Sequence, residues 1–262
     1  MRWSWPILSG ILALTALAAI LAPFDPMRTD IVMQMQPPSQ QHILGTDFLG
    51  RDVLSRLLFG GQRTLIIAGF AASLAVMLGA ALGFLSGLAN PNADRMLTSI
   101  INTMLAIPNL LLALVVLTVM GVGVASLIIA TGFAQIAPVA RVIRAAVIAE
   151  RAEPYIEAGY IIGLRRWQIA FYYVLPNIQG TLSAYIAVTF SYCLLNSAAL
   201  TYLGLGGEPG VPDWGVMLAE GRNVLREAPW VALAPGFAIT STLWAINRLF
   251  DQITEKSKYL IS

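Results

Sequence analysis

Hydrophobic positions in this chain come in long blocks separated by polar stretches, not at the alternating spacing of exposed strands. Apolar runs stand at 7–23, 65–89, 97–120, 125–147, 178–200 and 231–250. About 20 apolar residues cross a bilayer as one helix, and slightly shorter runs suffice. The pattern therefore predicts an all-α membrane protein with six transmembrane helices. The first run follows Met1-Arg2-Trp3 and would also suit a signal peptide, but five further spans make an uncleaved first helix the expectation. One domain is expected over 1–262: a first span at about 6–23, a loop at 24–62, a five-span core at 63–251 and a tail at 252–262.

Six spans place both termini on one side. If that side is the cytoplasm it holds ten of the sixteen Lys and Arg residues, among them Arg141, Arg144, Arg151, Arg165 and Arg166. Positive charge gathers on the cytoplasmic side of membrane proteins, so both termini and the polar stretch 150–176 are expected there. The long loops 24–62 and 202–229 then face outward. Composition agrees, with 57% hydrophobic and 11% charged residues, and a net charge of +2 with no basic run argues against a nucleic-acid partner. Cys193 is the only cysteine, so no intrachain disulfide can form and an inert buried thiol is expected.

Polar chemistry inside the runs is sparse. Gly79, Gly83 and Gly87 recur on one helix face, a spacing that lets backbones pack closely in lipid. Pro108 should bend the third span beside Asn109, and Pro138 can do the same in the fourth. No Asp, Glu, Lys, Arg or His lies in an apolar centre, which argues against a proton-driven carrier. A stand-alone channel, or a carrier coupled to an ion through backbone and hydroxyl groups, remains the alternative. Asn102, Asn109, Asn196 and Ser197 are the candidates for a pathway wall, because asparagine is costly against lipid. The only lysines, Lys256 and Lys258, follow Glu255 and Ser257, so no phosphate-binding Gly-Lys-Ser/Thr loop exists. No catalytic residue is expected, and ATP would have to be hydrolysed by another chain. His42 is the only histidine, so no histidine-built metal site is expected and a loop hydrogen bond is its expected role.

The stretch 150–176 predicts a short helix at 155–162, a turn at Gly163 and a second, amphipathic helix at 167–174, with Pro176 opening the next run. Within it, Glu157-Ala158-Gly159, three residues, Gly163, nine more and Tyr173-Val174-Leu175-Pro176 resemble the EAA loop of ABC-importer permeases. That loop reads Glu-Ala-Ala, three residues, Gly, nine residues, a hydrophobic residue, any residue, Leu-Pro. Gly159 replaces the second Ala, which should loosen the helix by about 1 kcal/mol, and Tyr173 stands where Ile or His is usual. The resemblance implies that Glu157, Ala158, Gly159, Gly163, Leu175 and Pro176 build a coupling helix seated in a cleft of an ATPase.

The outward loops narrow the family. His42-Ile43-Leu44-Gly45-Thr46-Asp47, two residues, Gly50-Arg51-Asp52 resembles the signature of the dipeptide, oligopeptide and nickel branch of those permeases. So do Leu203-Gly204-Leu205-Gly206, Trp214-Gly215, Ala219-Glu220-Gly221-Arg222, Ala228-Pro229-Trp230 and Ala140-Arg141-Val142-Ile143-Arg144. Asp47, Arg51 and Asp52 could meet a partner, and pairing with one another to hold the loop is the favoured expectation. The resemblance implies a type I ABC-importer permease in a bacterial or archaeal cytoplasmic membrane. Its expected partners are membrane lipid, a second homologous permease, an extracytoplasmic solute-binding protein and two ATPases that bind ATP and Mg2+, leaving no cofactor in this chain. Peptides, nickel, chelated metals and opine-like solutes are the substrates the branch implies. Many peptide-type relatives carry a glutamate where this chain has Ser197, which weakens the peptide expectation.

Overall fold

The computed structural model describes residues 4–208 and 210–259. They are almost entirely helical, with one isolated bridge between Thr46 and Asp52 in place of any sheet. In chain order come α1 (Ser4–Ala16), α2 (Ala18–Leu21), α3 (Val53–Leu88), α4 (Pro91–Leu105), α5 (Asn109–Met120) and α6 (Val124–Arg151). The polar stretch then holds α7 (Pro154–Ile161), α8 (Arg166–Ile169), a π-turn at Ala170–Val174 and α9 (Leu175–Asn177). After it come α10 (Gln179–Tyr202), α11 (Trp214–Asn223) and α12 (Trp230–Tyr259).

Among the described residues, α3, α6 and α10 are long and apolar enough to cross a membrane, and α4 with α5 makes a fourth if the bent pair counts as one span. The span at 97–120, expected to bend at Pro108, is two helices meeting at 88°. Pro108 lacks the N–H that would continue α4, and its ring excludes the carbonyl four residues back. Pro138 behaves differently: α6 runs through it as one helix. The first apolar run is interrupted at Leu17, and α12 continues to Tyr259, so most of the expected tail at 252–262 is helical. Residues 260–262 lie outside the described chain.

The largest boundary correction is at α3. The loop expected at 24–62 ends at Asp52, and the helix starts 12 residues before the apolar run at Leu65. Asp52 caps it, its Oδ2 accepting from the Ser55 amide at 2.8 Å, which satisfies an otherwise orphaned donor. Charges in the first turns that hide this helix from a hydropathy pattern are neutralised from afar. Arg56 Nη2 donates to Glu220 Oε2 at 2.8 Å and Arg63 Nη1 to Glu208 Oε2 at 3.3 Å.

α3 is the central rod. Its Gly79, Gly83 and Gly87 lie against α6, and a Cβ at Gly79 would sit 2.6 Å from Val139 Cβ and one at Gly87 2.6 Å from Val147 Cγ1. At Gly83 the obstruction is the backbone of Ala140 and Arg144, which cannot swing aside. Close approach of this kind supplies van der Waals contact where burial from lipid gives little drive. Two apolar clusters flank the pair. One joins α3, α10, α11 and α12 through Leu65, Leu194, Trp214, Met217 and Ile239. The other joins α3 and α6 to the polar stretch through Ala75, Val139, Ile143, Val147, Ile156, Ile169 and Val174.

Candidate functional site

Two regions carry the residues singled out by sequence. The first is the loop ahead of α3. Asp47 Oδ1 accepts from the amides of Leu49 at 2.8 Å and Arg51 at 2.9 Å, and its Oδ2 accepts from Arg51 Nε at 2.6 Å. Arg56 Nε stands 3.6 Å from the same Oδ2, and Glu220 on α11 receives Arg56 Nη2 while Arg51 Nη2 lies 3.0 Å away. Asp47, Arg51 and Arg56 are all buried, so two cations and two carboxylates neutralise one another in the interior. Beside them, His42 Nδ1 and Asp52 Oδ1 share a hydrogen bond at 2.9 Å, and the Phe24 ring stacks on His42 at 4.7 Å. Thr46 Oγ1 donates to Met33 O at 2.5 Å and accepts from the Gln36 amide at 2.8 Å, and Trp230 Nε1 donates to Thr46 O. Gly45 and Gly50 form the loop's two turns, both at positive φ.

Sequence reasoning missed the second half of this knot. Asp213 caps α11 by accepting from the Gly215 amide at 2.9 Å, and it also accepts from Thr64 Oγ1 on α3 at 3.0 Å and Thr201 Oγ1 on α10 at 2.8 Å. The signal available was an Asp immediately before Trp214-Gly215, a helix-start pattern. Its partners lie 12 and 149 residues away, beyond any local pattern.

The second region is the stretch 150–176. Glu153 precedes Pro154, which suits the first helical position, and α7 buries Ile156 and Gly159 on its inner side. Glu157, Ala158, Tyr160, Ile161 and Ile162 are exposed, Ile161 to 80% and Ile162 to 74%. Gly163 then turns the chain at φ +89°, a conformation that favours glycine. Its amide donates to Tyr160 O and the Leu164 amide to Gly159 O, closing the end of the helix. The expected second helix is a four-residue turn at α8 running into the π-turn, in which the Leu175 amide donates to Ala170 O. Pro176 has no amide to donate, and the widened turn gives its ring room. Leu175 is half-buried and Pro176 exposed, so the EAA residues divide between an inner anchor (Gly159, Leu175) and an outer surface (Glu157, Ala158, Pro176).

The four pathway candidates are not brought together. Asn102 is exposed in an open cleft of about 830 Å3, with Thr98, Ser99, Thr103 and the Asp94–Arg144 pair on its wall. Asp94 lies in the first turn of α4, ahead of the apolar run, and takes Arg144 Nε at 2.8 Å, Arg144 Nη2 at 2.6 Å and Ser86 Oγ at 2.7 Å. The Arg144 hydrogen bonds hold its carboxyl well below the usual carboxylate range. Asn109 opens α5, half-exposed. Asn196 is half-buried, its Nδ2 without a hydrogen-bond partner. Ser197 faces inward, its Oγ donating to Leu194 O at 3.0 Å.

A bundle of long apolar helices with a solvent-facing helical loop is the form of a transport permease, and the comparisons agree. The family described as "binding-protein-dependent transport system inner membrane component" matches residues 75–256. The dipeptide transport system permease of Alkalihalophilus pseudofirmus is 30% identical over 95% of this chain and 82% of its own. The di/tripeptide permease of Pseudomonas aeruginosa is 34% identical over 90% and 80%. The glutathione transport permease of Pectobacterium atrosepticum is 33% identical over 94% and 82%. A chain of the MetNI methionine ABC transporter, in an inward-facing form, superposes with a TM-score of 0.62 over 76% of this chain and 95% of that one, at 21% identity. The chain belongs to the inner-membrane permeases of binding-protein-dependent ABC importers, in their dipeptide and oligopeptide branch.

Proposed function

We propose that this chain, paired with a second homologous permease, forms the translocation path of an ATP-driven importer for di- or oligopeptides or similar small conjugates. The relatives above are named for dipeptides, di/tripeptides and glutathione, and that supports a peptide-class solute over nickel or a chelated metal. In this reading α1 with α2, α3, α4 with α5, α6, α10 and α12 make six spans with both termini cytoplasmic. The loop ahead of α3 and the segment around α11 then face the solute-binding protein.

The observation that carries the reading is α7. It anchors Ile156 and Gly159 in the core built on α3 and α6 while turning Glu157, Ala158, Ile161 and Ile162 outward. Large exposed aliphatics at the end of a short, anchored helix suit burial in a partner's cleft. The partner ATPases bind ATP and Mg2+, and their closure pushes α7, and through its anchors α6 and α3, as a rigid body. Asn102 in the open cleft is the pathway residue best placed to meet solute.

Purification on this chain from native membranes is expected to recover a second permease and P-loop ATPases, and Glu157→Lys is expected to lose the ATPases while remaining in the membrane. Recovery of the chain alone, with solute flux in liposomes without ATP, would overturn the reading.

A further inference from the structure

The glycine face of α3 fixes which way its other faces point. Residues two positions from each glycine lie about 200° around the helix, and there Met77 is 72% exposed, Leu85 62%, and Ala81 is exposed between them. This stripe faces out of the bundle, and next to Leu85 the Phe84 ring meets Phe171 of the π-turn at 6.0 Å. The outer side of α3 therefore runs on to the polar stretch.

What it continues into is specific. Trp167, Phe171 and Tyr172 are each more than half exposed, and the Trp167 and Tyr172 rings lie 6.1 Å apart. Arg165 and Arg166 immediately precede them, both exposed, and neither has an ion pair among the described residues. By contrast Arg51, Arg56, Arg63 and Arg144 are all paired. Tryptophan and tyrosine gather at the membrane–water boundary, and a guanidinium offers forked donors that match a phosphate. We propose that Arg165 and Arg166, with Trp167, Phe171 and Tyr172, bind the headgroup of an anionic phospholipid at the membrane surface. The site needs only the membrane location of the family and does not depend on α7 docking an ATPase. It would tie the start of the second half of the loop to the bilayer surface.

The assembly purified on this chain is placed in nanodiscs of phosphatidylcholine containing a fixed fraction of brominated phosphatidylglycerol or, separately, of brominated phosphatidylcholine. The emission of Trp167 is isolated by difference against Trp167→Phe. Brominated phosphatidylglycerol is expected to quench it more, reflecting a local enrichment of about fivefold for each arginine. The double variant Arg165→Gln/Arg166→Gln is expected to equalise the two lipids. Equal quenching of the native chain by both lipids would overturn the headgroup site. Quenching by neither would place protein over the patch and overturn it as well. Co-purification of ATPases, scored on the same material, reports separately on α7.

Discussion

The knot ahead of α3 and the loop after α6 use similar residue types to opposite ends. In the knot, Asp47, Asp52, Arg51, Arg56 and His42 are buried and partnered, and Glu220 and Asp213 reach in from α11 to complete the set. In the loop, Glu157, Arg165, Arg166, Ile161 and Ile162 are exposed. Both regions carry a family signature, so a signature alone does not distinguish a fastening from a contact surface. Satisfaction does: the charges of the knot are neutralised inside the chain and fasten it, whereas those of the loop are left open, as the docking proposed above requires.

That contrast can be broken most severely at Asp47. Asp47→Ala removes one carboxylate from two buried guanidiniums and is expected to destabilise the chain by about 3–5 kcal/mol. Thermal unfolding in nanodiscs would read it, and an unchanged midpoint would mean the knot is not a fastening. Next comes the frame beneath the loop: Gly83→Ala drives a methyl into the α6 backbone and is expected to cost about 1–3 kcal/mol, with a lower unfolding temperature and reduced uptake together. Gly163→Pro touches only the loop. Proline cannot adopt φ +89°, so α7 is misdirected, and uptake is expected to fall by about tenfold while the inserted amount and unfolding midpoint stay near the parent. Normal uptake in that variant would remove the loop from the coupling role. The smallest effect runs the other way. A Cβ at Gly159 would meet Leu164 and Ile169 at 3.5 and 3.6 Å, ordinary contact distances. Gly159→Ala, which restores the family's second alanine, is expected to stabilise α7 by about 1 kcal/mol with uptake kept, as seen in slower amide exchange over 154–161.

The same contrast explains what could be read from the chain alone. Apolar runs marked the long helices, and the glycine spacing marked a close-packing face on α3 but not its partner, because both are local periodicities. Asp47 and Arg51 could be paired on proximity, being four residues apart. Glu220 could not be joined to Arg56, 164 residues away, and without that partner Arg56 looked like loop, which is why α3 seemed to start at Leu65. Pro108 announced a bend but not an 88° one, since the angle is set by how α4 and α5 pack on α6. In the loop, the first helix and the turn at Gly163 were legible, and the restart near Trp167 was legible without its form. The π-turn was not, because it answers a proline six residues after it begins.

α3 has 36 residues and so spans roughly 54 Å. One end is locked into the knot by Asp52, Arg56 and Arg63. Near the other, Arg151 Nη1 donates to Gly87 O and Phe84 meets Phe171. Pressed against α6, with Val139 and Val147 set directly on Gly79 and Gly87 and backbone against backbone at Gly83, it can tilt more readily than bow. A tilt of about 5° around its midpoint would displace each end by roughly 2 Å in opposite directions. In the importer proposed above the helix would be a beam balance: weight added on one face of the membrane would be weighed on the other, with no signal passed from residue to residue in between.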